Sequence, residues 1–156
     1  MYYTNKPNRL KGFDYSSRQY YFVTSVVKNR IKCFGEISEG KMILNEYGKI
    51  TLEQLRWLPQ QYSYVRLLEH VVMPDHMHAV LEIDPLAANH QVKIKSISEL
   101  MGAFKSRSSR LIRLEGLPEF QWQTSFHDRI IRNNLELERV EKYILENPIA
   151  YRRCRS

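Results

Sequence analysis

Apolar residues in this chain fall into short alternating or β-branched runs, broken by stretches in which they recur every three to four positions. Residues 20–27, Tyr-Tyr-Phe-Val-Thr-Ser-Val-Val, are aromatic and β-branched and predict a first strand. Gly35 and Gly40 flank a polar turn, after which residues 41–44 predict a short edge strand. Residues 51–60 predict a helix, with Thr51 as N-cap, Gln54 three residues on, and Leu55 and Leu58 toward the core. Residues 64–73 and 76–83 predict two strands separated only by Pro74 and Asp75, a hairpin-like antiparallel pair. Ser96 opens a second helix with Glu99 in the capping-box position. Ile97, Leu100, Met101, Phe104, Ser108 and Leu111 recur along it until Gly116 and Pro118 end it. Residues 126–131 predict a strand, and 135–147 a last helix stopped by Pro148.

The order β-α-β-β-α-β with a terminal helix predicts an α+β, ferredoxin-like (split β-α-β) antiparallel sheet. In that topology the third strand lies inside the sheet beside the first, a rigid place to mount ligands. The 156 residues, 43% of them hydrophobic, suit a single domain spanning 1–156. Residues 1–19, with Lys6, Arg9, Lys11 and Arg18, read as a basic arm. No apolar run approaches a membrane span and no secretory h-region is visible, so a cytoplasmic protein without a membrane partner is expected. Cys33 and Cys154 match no zinc spacing and read as free thiols. Lys and Arg number 24 against 17 Asp and Glu, a net charge of +7 and a pI near 9.5. That balance suits a chain that holds nucleic-acid phosphates, though many basic proteins do not.

His76 and His78 carry the candidate chemistry. On a strand, residues two apart share a face, roughly 6.5–7 Å apart along the chain. Both imidazoles can then lean toward one cation while Met77, Ala79, Leu81 and Ile83 point the other way. On a helix the same two would diverge and could not share an ion. An isolated His-x-His is more often a half-exposed pair bonded to water or carboxylates. Helical spacing also puts positions 136, 140, 143 and 147 on one face of the last helix, making Tyr143 and Asn147 neighbours one turn apart. Taken singly, such a tyrosine is usually a boundary residue, and an asparagine before proline a helix C-cap.

Together these blocks resemble the single-tyrosine HUH transposases of the insertion-sequence 200/605-like and REP-associated group. The matching segments are Asn-Arg-Leu-Lys-Gly-Phe-Asp-Tyr at 8–15, Tyr-Phe-Val-Thr at 21–24 and Val-Val-Met-Pro-Asp-His-Met-His at 71–78. Gly-Ala-Phe-Lys-Ser at 102–106, Trp-Gln-Thr-Ser-Phe-His-Asp-Arg-Ile-Ile at 122–131 and Tyr-Ile-Leu-Glu-Asn-Pro at 143–148 follow in family order. The combination is specific; no single block is. The resemblance implies that His76 and His78 are metal ligands, that Tyr143 is the nucleophile, and that Asn147 takes the position of a third, polar ligand. Asp75 stands where many relatives carry Asn, a side chain read as only shaping the turn. His127 stands where other relatives have an aromatic; it receives no catalytic role and could compete as a ligand.

The resemblance thus implies a metal-dependent single-stranded DNA transposase that cleaves and rejoins through a 5′-phosphotyrosine and recognises hairpin-bearing DNA. A phenol, with a pKa near 10, is a weak nucleophile at neutral pH and needs an activated electrophile. A divalent cation on the phosphate supplies that activation, and the mixed N/O donor set suits Mg²⁺ or Mn²⁺. No dedicated general base is evident. Arg9, Lys11, Lys105, Arg107, Arg110 and Arg129 are candidate DNA contacts, although a basic helix face is more often simply solvated. Trp122 is either a stacking platform for a base or a lid on the core. Two other readings stay open: a domesticated DNA-binding module without turnover, and a metallo-hydrolase using Asp75 or Glu82 as an acidic third ligand. Monomer and homodimer are both compatible with the chain.

Overall fold

A computed structural model describes residues 18–89, 91–124 and 127–155, the side chains of 151–155 excepted. Four strands, β1 (Gln19–Val26), β4 (Val65–Met73), β5 (His76–Ile83) and β6 (His127–Ile131), form one sheet in the order β4-β5-β1-β6. Every neighbouring pair is antiparallel. This is the ferredoxin-like order, and β5 occupies the interior position expected of it. The pairing sets Val26 opposite His76 and Thr24 opposite His78, and Thr24 is also opposite His127 on the far side of β1.

Alternation along β5 sorts the residues between two faces. Met77, Ala79, Leu81 and Ile83 join Val23, Leu55, Leu58, Leu100, Met101 and Phe104 in the larger core. That core lies beneath α1 (Glu46–Gln61) and α2 (Ile97–Glu115). Val80 turns the other way and packs with Phe22, Ile131, Val140 and Ile144. The last two belong to α3 (Asn134–Arg155), which lies over β4 and β5. Since successive strand side chains point to opposite faces, His76 and His78 share the α3 side with Val80.

Several sequence expectations shift. Residues 41–44 do form a strand, β3 (Lys41–Leu44), but it pairs with β2 (Gly35–Ser38) as a separate two-stranded ribbon instead of edging the main sheet. The first helix starts five residues earlier than its pattern suggests, because Asn45 caps it: its Oδ1 accepts from the Tyr47 and Gly48 N–H groups at 2.9 and 3.0 Å. Thr51, expected as the cap, is buried mid-helix and donates back to the Tyr47 carbonyl. The second helix keeps its predicted start, with the Ser96–Glu99 capping box formed in both directions. Its buried stripe runs through Ile112 in place of Leu111. The third helix runs on through Pro148 to Arg155. Proline there deprives the Ile144 carbonyl of its usual donor, a cost of about 3 kcal/mol in a free helix. Packing of Val140 and Ile144 against the sheet offsets it. Asn147 is therefore an interior helix residue, not a C-cap. Of the 126–131 strand, His127–Ile131 lies within the described residues.

Candidate active site

Pro74 and Asp75 turn the chain from β4 into β5, so His76 is the first residue of an interior strand and is held there by both neighbours. The His76 and His78 rings lie 4.8 Å apart between centroids, on one face as the i, i+2 spacing requires. Each is 7% exposed. Their Nδ1 atoms are both committed. His76 Nδ1–H donates to Asp75 Oδ1 at 2.6 Å, and His78 Nδ1 is 2.8 Å from Thr24 Oγ1. The Asp75 carboxylate can only accept, which puts the His76 proton on Nδ1 and leaves Nε2 for a metal. The Thr24 hydroxyl can give or take a proton and engages His78 at Nδ1, away from its Nε2.

Asp75 therefore does more than shape a turn. Its second oxygen, Oδ2, lies 3.3 Å from Arg30 Nε, so the carboxylate bridges a guanidinium and an imidazole. Burial pushes the Asp75 pKa up, but the His76 hydrogen bond and the charges of His76 and Arg30 outweigh it and leave the carboxyl below its ordinary range. The His78 ring behaves oppositely. Burial first, then the nearby His76, Arg129 and Arg30 charges, bring its pKa down to about 3. A neutral imidazole at physiological pH is the form that binds a cation.

Tyr143 reaches this pair from α3. Its ring centroid is 5.4 Å from that of His78 and 6.2 Å from that of Phe22, and Phe22 is in turn 5.4 Å from His78. The tyrosine is 52% exposed, so its ring rests on the site while the residue stays open to solvent. One turn on, Asn147 is only 6% exposed. The start of α3 is pinned. Asn133 Oδ1 accepts from the Glu136 N–H at 2.8 Å, and Glu136 Oε1 from the Arg132 N–H at 3.0 Å. The tyrosine thus lies against histidines of its own chain.

The donor set fits a divalent cation. The two imidazoles and the Asn147 amide could hold Mg²⁺ or Mn²⁺ and leave positions open. Among the described residues no group of three His, Cys, Asp or Glu gathers to offer an all-acidic or thiolate alternative. The two carboxylates considered for a hydrolase are otherwise engaged: Asp75 as above, and Glu82 with Arg18 at 2.9 Å and Arg66 at 2.8 Å.

A family model described as Transposase IS200 like matches residues 15–147. The chain belongs to that family. It is also 30% identical, over 92% of its length and 87% of the relative's, to an uncharacterized protein of Haemophilus influenzae. Its fold matches a REP-associated tyrosine transposase solved bound to a REP hairpin (TM-score 0.64, 18% identity, 95% of this chain and 74% of that one). It also matches a transposase-like protein from Deinococcus radiodurans solved at 1.90 Å (TM-score 0.56, 20% identity, 92% and 97%).

In this IS200-like transposase the other candidate residues scatter. Arg129 comes to the site: its Cζ is 5.0 Å from the Phe22 ring centroid, on the α3 side of β6. Lys105, Arg107 and Arg110 sit on α2, across the sheet. Lys105 Nζ donates to the Gln123 carbonyl at 3.3 Å, and Arg107 donates to Gln54 Oε1 at 2.9 Å while stacking on Trp57. Arg110 is exposed. Trp122 takes the core alternative: it is 7% exposed, donates to Ser108 Oγ at 2.9 Å and packs on Phe34, Phe104 and Phe120. Arg9 and Lys11 lie outside the described residues. His127 is exposed, one strand beyond Thr24. Among the described residues no helix is long and apolar enough to cross a membrane.

Sequence reasoning missed Thr24, Arg30 and the orienting role of Asp75. Thr24 stood in the matching block at 21–24 but without a role, because only strand register sets it beside His78. Arg30 did: Lys28, Arg30 and Lys32 place three cations in five residues just after β1.

Proposed function

We propose that this protein cleaves and rejoins single-stranded DNA through a 5′-phosphotyrosine on Tyr143, with a divalent cation, Mg²⁺ or Mn²⁺, held by His76, His78 and Asn147. The observation that carries the reading is the Tyr143 ring at 5.4 Å from a histidine that is itself paired with a second at 4.8 Å. When bound, the cation would withdraw charge from the scissile phosphate and orient it for in-line attack. The protein's own groups account for the rest. Asp75 and Thr24 hold the ring planes, Arg129 offers a positive charge beside the nucleophile, and α3 presents the phenol from the same chain. The phenolic oxygen bonds to phosphorus as the bond to the upstream 3′-oxygen breaks. The phenolic proton leaves to solvent and the departing 3′-oxygen takes one up. The ester energy is kept in the tyrosyl phosphate, so attack by another 3′-OH rejoins the strand without ATP.

The substrate we propose is a strand bearing a hairpin. The net charge of +7 and the fold likeness to a protein solved on a REP hairpin support it. A cytoplasmic, nucleoid-associated location follows from that substrate. The test is incubation of the protein with 3′-end-labelled, hairpin-bearing single strands and Mn²⁺, followed by denaturing electrophoresis. A labelled adduct that survives SDS, absent in Tyr143→Phe while that variant still binds the strand, is expected. Release of an untethered 5′-phosphate would point to hydrolysis, and binding without cleavage in any divalent metal to a module that has lost turnover.

A further inference from the structure

A cavity of about 450 Å³ opens beside the turn that carries His76. Phe120 and Cys33 floor it, Ile31 stands at its lip 57% exposed, and Asn29, Glu119 and Gln121 rim it. Its walls are tied to the candidate active site through backbone bonds. The Val27 N–H donates to the Asp75 carbonyl at 2.9 Å, and the Cys33 and Phe34 N–H groups to the Pro74 carbonyl at 3.0 and 3.1 Å. Arg30, between them, reaches the Asp75 carboxylate that orients His76. The loop is held in an unusual backbone: Asn29 and Arg30 have φ of 60° and 52°. For a side chain such as arginine that conformation is strained, so the surrounding bonds hold the loop in a form it would not adopt alone.

Its chemistry suits an unpaired base. A planar heteroaromatic ring needs an apolar or aromatic floor and amide or carboxylate groups at its edge, and the strand to either side needs cations. Lys28, Arg30 and Lys32 are exposed and alternate with Asn29 and Ile31, so cations flank the mouth. Burial lifts the Cys33 thiol to about 11, which keeps it neutral and makes it a wall, not a nucleophile. We propose that this pocket takes one unpaired nucleobase of the strand whose phosphodiester lies at His76 and His78, and so selects the nucleotide flanking the cut. The proposal rests on the strand-cleavage reading above and goes beyond it by naming where sequence preference arises.

The experiment uses the full chain with Mn²⁺ and a pool of 3′-labelled strands carrying one fixed hairpin and randomised flanks. Two fractions are sequenced: strands retained on the protein under native conditions, and strands recovered as SDS-resistant adducts. The wild-type protein should enrich one base about tenfold at a single flanking position in both fractions. Ile31→Trp, which fills the mouth, and Asn29→Gly, which removes the amide but keeps the positive φ accessible, should flatten that bias to about twofold or less. Both variants should keep the wild-type melting temperature and still form adducts. A wild-type pool with no positional bias overturns the proposal, as does a bias that survives in both variants. Should no adduct form at all, the cleavage reading falls by itself, and the retained fraction still decides the pocket.

Discussion

The two faces of one sheet are built to different ends. Beneath α1 and α2, β5 contributes Met77, Ala79 and Leu81, none of them exposed, to a continuous apolar core that also claims Trp122. Beneath α3, the same strand contributes Val80 at its middle but His76 and His78 at its start, where the apolar contacts of Val140 and Ile144 give way to Tyr143 and Asn147. The first face supplies rigidity; the second uses it. A ring pair held by an interior strand cannot drift, because the strand is bonded on both sides and its reverse face is packed. The contrast also separates the basic residues. Lys105 and Arg107 on α2 brace the packed side, whereas Arg30 and Arg129 flank the open end.

The sharpest way to break this comparison is at the phenol. Tyr143→Phe should cut adduct formation by about 10⁴-fold or more with no loss of melting temperature, since the residue is half exposed; a substantial remaining rate would move the nucleophile elsewhere. The converse test is Phe104→Ala on the packed side. It should cost about 3–5 kcal/mol of stability by denaturant titration, and equal damage from an α3-side alanine at Tyr143 would erase the distinction between faces. Smaller effects should come from the groups that orient the histidines. Asp75→Ala and Thr24→Val should each weaken Mn²⁺ affinity by about 10–100-fold, measured by calorimetry on the DNA-free protein, while stability changes little. Unchanged affinity in both would show that the rings need no orienting partners.

The least effect is expected at Asp128, on the packed side of β6. Burial raises its carboxyl from 3.8 to about 6, with Lys105 opposing, and neither oxygen has a hydrogen bond. A carboxyl raised on folding contributes stability that is present below pH 4 and lost as the pH climbs through 6. Asp128→Asn should therefore lack that falling limb and exceed the wild-type stability at pH 7 by about 1–2 kcal/mol. Parallel stability curves for the two proteins between pH 4 and 7 would contradict the assignment.

Much of this was legible in the chain itself. Strand and helix order, the ferredoxin-like topology and the alternation of His76, Met77, His78 and Ala79 follow from local period, which reports which residues share a face. The Ser96–Glu99 box was readable because its partners are three residues apart. Errors arose where neighbours compete locally or distant segments decide. Asn45 out-competed Thr51 as a cap, and packing of Ile144 carried α3 through a proline that would stop a free helix.

What the sequence determined by itself was therefore which residues are candidates for the chemistry and the strand and helix that bear them. Tertiary structure alone decided their company: that Thr24, 54 positions away, meets His78 Nδ1, that Asp75 divides itself between Arg30 and His76, and that Trp122 belongs to the core. The physical reason is that periodicity is a property of one segment. Register between strands and the seating of a helix on a sheet emerge only when whole faces exclude water together.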